Sequence, residues 1–185
     1  MLNPKKLALI LMLGGFFFAM AWSDDDRPSI KIQARYQIQT GTRVGRLIIL
    51  CEIPPGCHIY STQQGSPPGP TKIQIADSDK FKLTAGFSAD RQPVVIDHDP
   101  VFETRLEQFS GKVAFTAPLQ LTNDAELEKL IIDLTINCQV CSDDGCVLVR
   151  NKKVGVRFDG YFDPKAEKEA NRLLAPKDSS GSKDD

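Results

Sequence analysis

Residues 30–38 read Ile-Lys-Ile-Gln-Ala-Arg-Tyr-Gln-Ile. Apolar side chains at Ile30, Ile32, Ala34, Tyr36 and Ile38 alternate with polar ones at Lys31, Gln33, Arg35 and Gln37. A period of two is that of a strand with one face buried and the other wet. Outward from this stretch the pattern recurs. Arg43 to Glu52, His58 to Ser61, Lys72 to Ala76, Phe81 to Ala85, Gly111 to Leu121, Leu130 to Val140 and Lys152 to Phe158 are short, rich in β-branched residues and separated by Gly, Pro, Asn or Asp. The chain is therefore expected to be all-β, folded as a two-sheet sandwich. Thr62 to Pro70, Ala89 to Pro93 and Asp97 to Pro100 are longer than hairpin turns, the last two flanking Val94-Val95-Ile96, and loops of that kind are where function is sought.

The ends read differently. Lys5 and Lys6 precede an apolar run from Leu7 to Phe18, and Ala19-Met20-Ala21 supplies small residues at cleavage spacing, so residues 1–21 are expected to be a secretory signal. A retained anchor is the alternative, because Leu7 to Trp22 is only slightly short of the ~20 residues that span a bilayer. No Cys follows the run, so a bacterial lipid anchor is not expected. The main domain is expected over residues 27–162. Asp163-Pro164 then reads as an N-cap with proline at the first helical position, opening a short helix through Leu174. Residues 175–185 are polar and charged, the composition of a disordered tail.

Charge narrows the functional classes. Loss of Lys5 and Lys6 with the leader takes the basic count from 23 to 21 against 24 acids, a net charge of −3. That balance gives no footprint for nucleic acid or anionic membrane. No Gly-rich phosphate loop, paired catalytic carboxylates or Ser-His-Asp order stands out, the only histidines being His58 and His98. No cofactor is implied.

Five cysteines remain, an odd number in a chain expected to work in an oxidising compartment. Strand alternation through Ile132, Leu134, Ile136, Cys138 and Val140 turns Cys138 toward the core and leaves Cys141 on the other face, at the strand end. Ser142-Asp143-Asp144-Gly145 is a turn signal, and a tight reversal would bring Cys146 beside Cys141 within disulfide reach. Such a short bridge fits either a bond that is made and broken or an inert pin across a turn. The intervening aspartates would disfavour thiolates and restrain a reduced pair. Cys138-Gln-Val-Cys141 does not fit a thioredoxin motif, because it closes a strand and meets a turn where a helix is needed. A zinc site from Cys138, Cys141, Cys146 and His58 lacks the usual two knuckles, and no metal is expected. Cys51 and Cys57 flank Glu52-Ile53-Pro54-Pro55-Gly56, a bend read as closed by a local structural disulfide, with two free, partly buried thiols as the alternative.

Three stretches, Ile53-Pro54-Pro55-Gly56-Cys57-His58-Ile59-Tyr60-Ser61, Gly69-Pro70-Thr71-Lys72-Ile73 and Gln139-Val140-Cys141-Ser142-Asp143-Asp144-Gly145-Cys146, together resemble the amino-terminal periplasmic domain of the thiol:disulfide interchange protein DsbD. The resemblance covers most of residues 30–158. It implies an immunoglobulin-like β-sandwich that takes electrons from a membrane-embedded thiol donor and passes them to exported thioredoxin-like proteins. By position it makes Cys146 the attacking thiol and Cys141 the resolving one. It also matches Asp97-His98-Asp99-Pro100-Val101-Phe102 to a cap loop, with Phe102 as the shielding ring and His98 and Asp99 in register with the family pattern. Pro100 and Val101 stand where acids are usual, and Cys57 and Cys138 replace aromatics. Neither the membrane carrier nor the thioredoxin-like domain of full-length DsbD lies in these 185 residues, so the reductant is expected to be a separate protein. The function implied is a periplasmic or secreted protein-disulfide reductase component; the alternatives are a non-catalytic immunoglobulin-like binding module with structural disulfides and, ranked behind it, a Cys/His metal-binding domain.

Overall fold

The computed structural model describes residues 28–65 and 67–174; the stretches expected to be a signal, 1–21, and a tail, 175–185, lie outside them. The elements in order are β1 (Lys31–Gln39), β2 (Val44–Glu52), β3 (His58–Tyr60), β4 (Lys72–Ile75), β5 (Phe81–Leu83), β6 (Ser88–Ala89), β7 (Val94–Asp99), β8 (Thr104–Ser110), β9 (Lys112–Leu121), β10 (Ile132–Ser142), β11 (Gly145–Phe162) and α1 (Pro164–Leu174). The strands form an immunoglobulin-like two-sheet β-sandwich. The first sheet runs β5-β9-β2-β1-β11 and the second β11-β10-β3-β8-β7, with β4 added to β10 and β6 to β9. β11 is common to both: its first part pairs antiparallel with β10, and its last part pairs parallel with β1.

Alternation builds the core. Tyr36 and Ile38 of β1, Leu47 and Ile49 of β2, and Val113, Phe115 and Leu119 of β9 face inward from one sheet. Ile59, Phe109, Ile132, Leu134, Ile136 and Val140 meet them from the other, and Phe109 and Phe115 touch edge to face across the sandwich at 5.8 Å. The buried Tyr36 ring keeps its hydroxyl satisfied by donating to the Leu127 carbonyl at 2.6 Å. α1 starts as read from the sequence: the Asp163 carboxylate accepts the Lys165 N–H at 2.8 Å. Its Glu167 takes both Arg46 guanidinium nitrogens at 2.8 and 2.6 Å, tying the helix to β2. Among the described residues no helix is long and apolar enough to cross a membrane.

The strand pattern departs from expectation in four places, the first being the two-residue β6, which lies outside every strand read from the sequence. β8 lies where no strand was read, because its two buried apolar residues, Leu106 and Phe109, are three apart and face opposite sides. β7 continues through Asp97 and Asp99, so the connection to β8 is only 100–103. β11 begins at Gly145, seven residues ahead of the expected start, because the exposed Leu148 between Val147 and Val149 is as apolar as its neighbours and masks the alternation.

Two bulges set the register of β11. Between Ile136↔Lys152 and Cys138↔Val149 it has one residue more than β10. The surplus is absorbed by Asn151 at φ 52°, whose N–H donates to the Asn137 side-chain oxygen at 2.8 Å. A second lies between Phe158 and Tyr161, with Gly160 at φ 100°. Asn tolerates the left-handed region that a β-branched residue resists by about 1–2 kcal/mol. Asn151→Val is therefore expected to lower stability by that amount and to slow oxidative closure of the nearby hairpin, whereas Asn151→Gly leaves both close to wild type. Denaturant titration together with the rate of Cys141–Cys146 re-oxidation checks this, and equal behaviour of the two variants would contradict it.

Candidate functional site

The first bulge decides where Cys146 points. Upstream of it the paired positions of β10 and β11 sum to 288, as in Ile136↔Lys152; beyond it they sum to 287, as in Cys138↔Val149 and Cys141↔Cys146. That one-residue step turns Val147 and Val149 to the core side and puts Cys146 on the face of Cys141, because directly opposed residues share a face. The hairpin closes through Asp143 and Asp144, with Gly145 following at φ 138°, a conformation open to glycine. Cys141 and Cys146 are joined in a disulfide with S–S 2.06 Å and Cα–Cα 4.0 Å.

The two sulfurs live in different surroundings. Cys146 is exposed, while Cys141 is 2% exposed and belongs to a small apolar cluster with Tyr60 and Leu106, against which Ile96 and Phe102 pack. This cluster is separate from the main core and lies on the opposite face of the second sheet. β3 supplies one wall. His58 is the direct cross-strand partner of Cys141, and Tyr60, two residues on, shares its face. The His58 ring meets Tyr60 edge-on at 5.3 Å with Nε2 3.4 Å from the tyrosine hydroxyl, and Tyr60 meets Phe102 edge-on at 6.4 Å. Burial pulls the His58 imidazole below its ordinary range, against the opposite pull of Asp143 and Asp99. The Tyr60 hydroxyl is pushed up by burial and by Asp99.

The 100–103 connection forms the lid of this cluster. The Asp99 carboxylate accepts the N–H groups of Val101 and Phe102, each at 2.9 Å, and its carbonyl accepts that of Glu103 at 2.8 Å. Asp99 thus shapes the loop that lays Phe102 over the cluster, while Val101 at the tip is 79% exposed. The His98 side chain is exposed and makes no hydrogen bond among the described residues. Of the three cap residues named from the sequence, the structure brings Phe102 onto the cysteine cluster and uses Asp99 to hold it there. Sequence reasoning missed Tyr60 and Leu106 as the seat of Cys141. The spacing of His58 and Tyr60, two apart on one short strand, was the available signal.

The described residues of the loop, 62–65 and 67–70, are fastened down. The Gln64 amide donates to the Arg105 carbonyl at 3.1 Å and accepts the Glu107 N–H at 2.7 Å; the Gln139 amide donates to the Pro68 carbonyl; and Thr71 Oγ1 donates to the Tyr60 carbonyl at 2.6 Å. These bonds brace the strands around the disulfide.

The expected disulfide between Cys51 and Cys57 is corrected: both are free and buried, as is Cys138. The reason lies in the path of the chain. Cys51 ends an inward row on β2, held opposite Ile32 and Val113 in the first sheet. The turn closed by the Cys57 N–H on the Pro54 carbonyl at 3.1 Å then delivers the chain to β3 in the second sheet. The bend crosses between sheets and does not fold back on Cys51. The zinc set considered from sequence does not converge either, because Cys138 faces the main core and Cys141 the other cluster. Among the described residues no group of three or more His, Cys, Asp or Glu side chains is arranged to hold a metal ion.

A family model described as "Thiol:disulfide interchange protein DsbD, N-terminal" matches residues 27–157. Among solved structures, the N-terminal periplasmic domain of ScsB from Proteus mirabilis is similar at 15% identity, over 83% of this chain and 55% of that one, with a TM-score of 0.49. The chain therefore spans little more than half of that structure. No curated protein gives a significant match.

Two expectations follow from the site. Asp99→Ala removes an acceptor shared by two N–H groups, each bond worth about 1 kcal/mol, and is expected to speed reduction of the disulfide by a small dithiol about fivefold or more. Asp99→Asn keeps the side-chain oxygen and should change the rate far less; identical rates for Asp99→Ala and wild type would remove the loop from the account. The second concerns the core thiols. Burial, with Cys138 adding to it, pushes the Cys51 thiol from an ordinary 9.0 to about 12, and burial alone pushes Cys138 up to about 11. The folded state holds these protons to higher pH than the unfolded chain, so stability is level below about pH 9 and falls as pH rises toward 12. Denaturation midpoints across that range check the fall, which a Cys51→Val, Cys138→Val double variant is expected to flatten.

Proposed function

The chain belongs to the family of the N-terminal domain of the thiol:disulfide interchange protein DsbD, and on that premise we propose that it is an exported thiol–disulfide exchange module cycling between the Cys141–Cys146 disulfide and the dithiol. The observation that carries this reading is the unequal exposure of the two sulfurs, Cys146 open to solvent and Cys141 sealed under Tyr60, Leu106 and Phe102. Exchange proceeds by thiolate attack on one sulfur and departure of the other. In the oxidised domain a donor thiolate reaches only Cys146, so Cys141 leaves; a second donor thiol then displaces Cys146, leaving the donor as a disulfide and the domain as a dithiol. In the dithiol, Cys146 attacks the acceptor's disulfide, and Cys141, held opposite, displaces the reduced acceptor. Two electrons pass from the dithiol to the acceptor, and the intramolecular disulfide is restored.

Energetics support the same reading. A bridge closing so short a loop removes roughly 2 kcal/mol of chain entropy at most, and it joins positions the hairpin already holds in register. It is a weak staple. The acidic turn residues Asp143 and Asp144 disfavour thiolates and restrain the dithiol from indiscriminate oxidation. The domain works in the periplasm or outside the cell, receives electrons from a membrane-embedded thiol donor, and passes them to exported thioredoxin-like proteins.

Cys141→Ala leaves Cys146 able to attack and removes the group that resolves. Incubated with an oxidised exported thioredoxin-like protein, this variant is expected to accumulate a mixed disulfide through Cys146, visible as a reducible adduct on a non-reducing gel, whereas wild type turns over without one. Absence of an adduct, together with a wild-type bond that resists reduction down to about −300 mV, would favour the alternative binding module in which the bond pins a turn.

A further inference from the structure

Displacement of the acceptor requires Cys141 to attack as a thiolate, yet its sulfur lies where water and hydroxide do not reach freely. A group within the protein must take the proton. We propose that His58 is that group, accepting the Cys141 proton in the resolving step and returning it when the bond is reopened. This rests on the exchange reading above.

Geometry selects His58. It stands directly opposite Cys141 on the neighbouring strand, where side chains on one face have their Cβ atoms about 4.5–5.5 Å apart. The other candidates are less well placed. Asp99 lies in the cap, with one carboxylate oxygen held by two loop N–H groups, Asp143 lies in the turn, and the Tyr60 hydroxyl is too weak an acid–base partner to hold a thiol proton by itself. Around the imidazole, Asp143 faces it from the turn, Asp99 from the cap, Tyr60 from its own strand and Cys141 from β10; Ser110, its partner on β8, is uncharged. Half-burial keeps the ring neutral and able to accept near pH 7, while the two carboxylates steady the imidazolium once it forms.

The step balances. In the mixed disulfide between Cys146 and the acceptor, the Cys141 S–H gives its proton to the imidazole, and the thiolate attacks Cys146 Sγ. The bond from Cys146 to the acceptor breaks, and the acceptor sulfur departs with the electron pair as a thiolate. It is protonated by the imidazolium or by water. In the reverse direction the imidazolium protonates Cys141 as it leaves.

Ellman's reagent separates the steps in the purified domain. The first thionitrobenzoate released reports attack by Cys146, and the second reports displacement by Cys141; Cys141→Ala identifies the first by abolishing the second. For wild type the second release is expected to be nearly flat from about pH 6.5 to 8.5, as expected when a neutral imidazole takes the proton. In His58→Phe, which keeps a ring beside Tyr60, it is expected to be at least about tenfold slower at pH 7 and to climb about tenfold per pH unit, the behaviour of unassisted thiolate formation. In His58→Ala, added imidazole is expected to restore much of the loss, an effect that repair of packing alone would not produce in a pH-dependent manner. A second release that keeps its rate and profile in both variants overturns the assignment of His58 but leaves exchange intact. Failure of the wild-type dithiol to release any thionitrobenzoate overturns both.

Discussion

The site depends on a single surplus residue. β10 and β11 enter their hairpin in one register and leave it in another, and the difference is taken up at Asn151 with the side chain of Asn137 closing the gap. Strand parity makes the consequence all-or-none. Continuing the upstream register to the turn would set Ser142 against Cys146 and turn the second sulfur to the core side. The Cys141–Cys146 disulfide is thus specified by a bulge some five residues away as much as by the turn between the cysteines.

Alternation made the sandwich legible. Wherever buried residues fall at every second position, as in β1, β2, β9 and β10, the strand and its inner face could be read from the residues alone, and Cys138 was placed correctly in the core. The rest was obscured by the presence of two apolar clusters on opposite faces of one sheet. β8 serves both, Leu106 toward one and Phe109 toward the other, so no single face accumulates a pattern. The same division hid Tyr60, whose neighbour Ile59 belongs to the main core. Proximity in sequence misled at Cys51 and Cys57, where six residues carry the chain from one sheet to the other. The bulge left no signal in hydrophobicity at all, since its residues are polar and exposed.

Charge and burial act in opposite directions around the disulfide, and their balance defines the chemistry available. Asp143 and Asp99 favour positive charge on the imidazole opposite Cys141. Apolar cover from Tyr60, Leu106 and Phe102 disfavours charge on imidazole and sulfur alike. A proton moved from thiol to imidazole within this small space creates the two charges side by side, which costs less than creating either alone. Cys51 and Cys138 in the main core have no such partner, and burial holds their thiols protonated.

The separation of the two apolar clusters also gives the molecule two energy scales. The main core is continuous across both sheets and can be breached only by unfolding. The cluster over Cys141 is five side chains under a four-residue connection, held mainly by one carboxylate. Amide hydrogens there are expected to exchange through local opening long before those of β1, β2 and β9. The domain can therefore uncover its sulfur by spending a small, local fraction of its stability, with the sandwich acting throughout as an undisturbed frame.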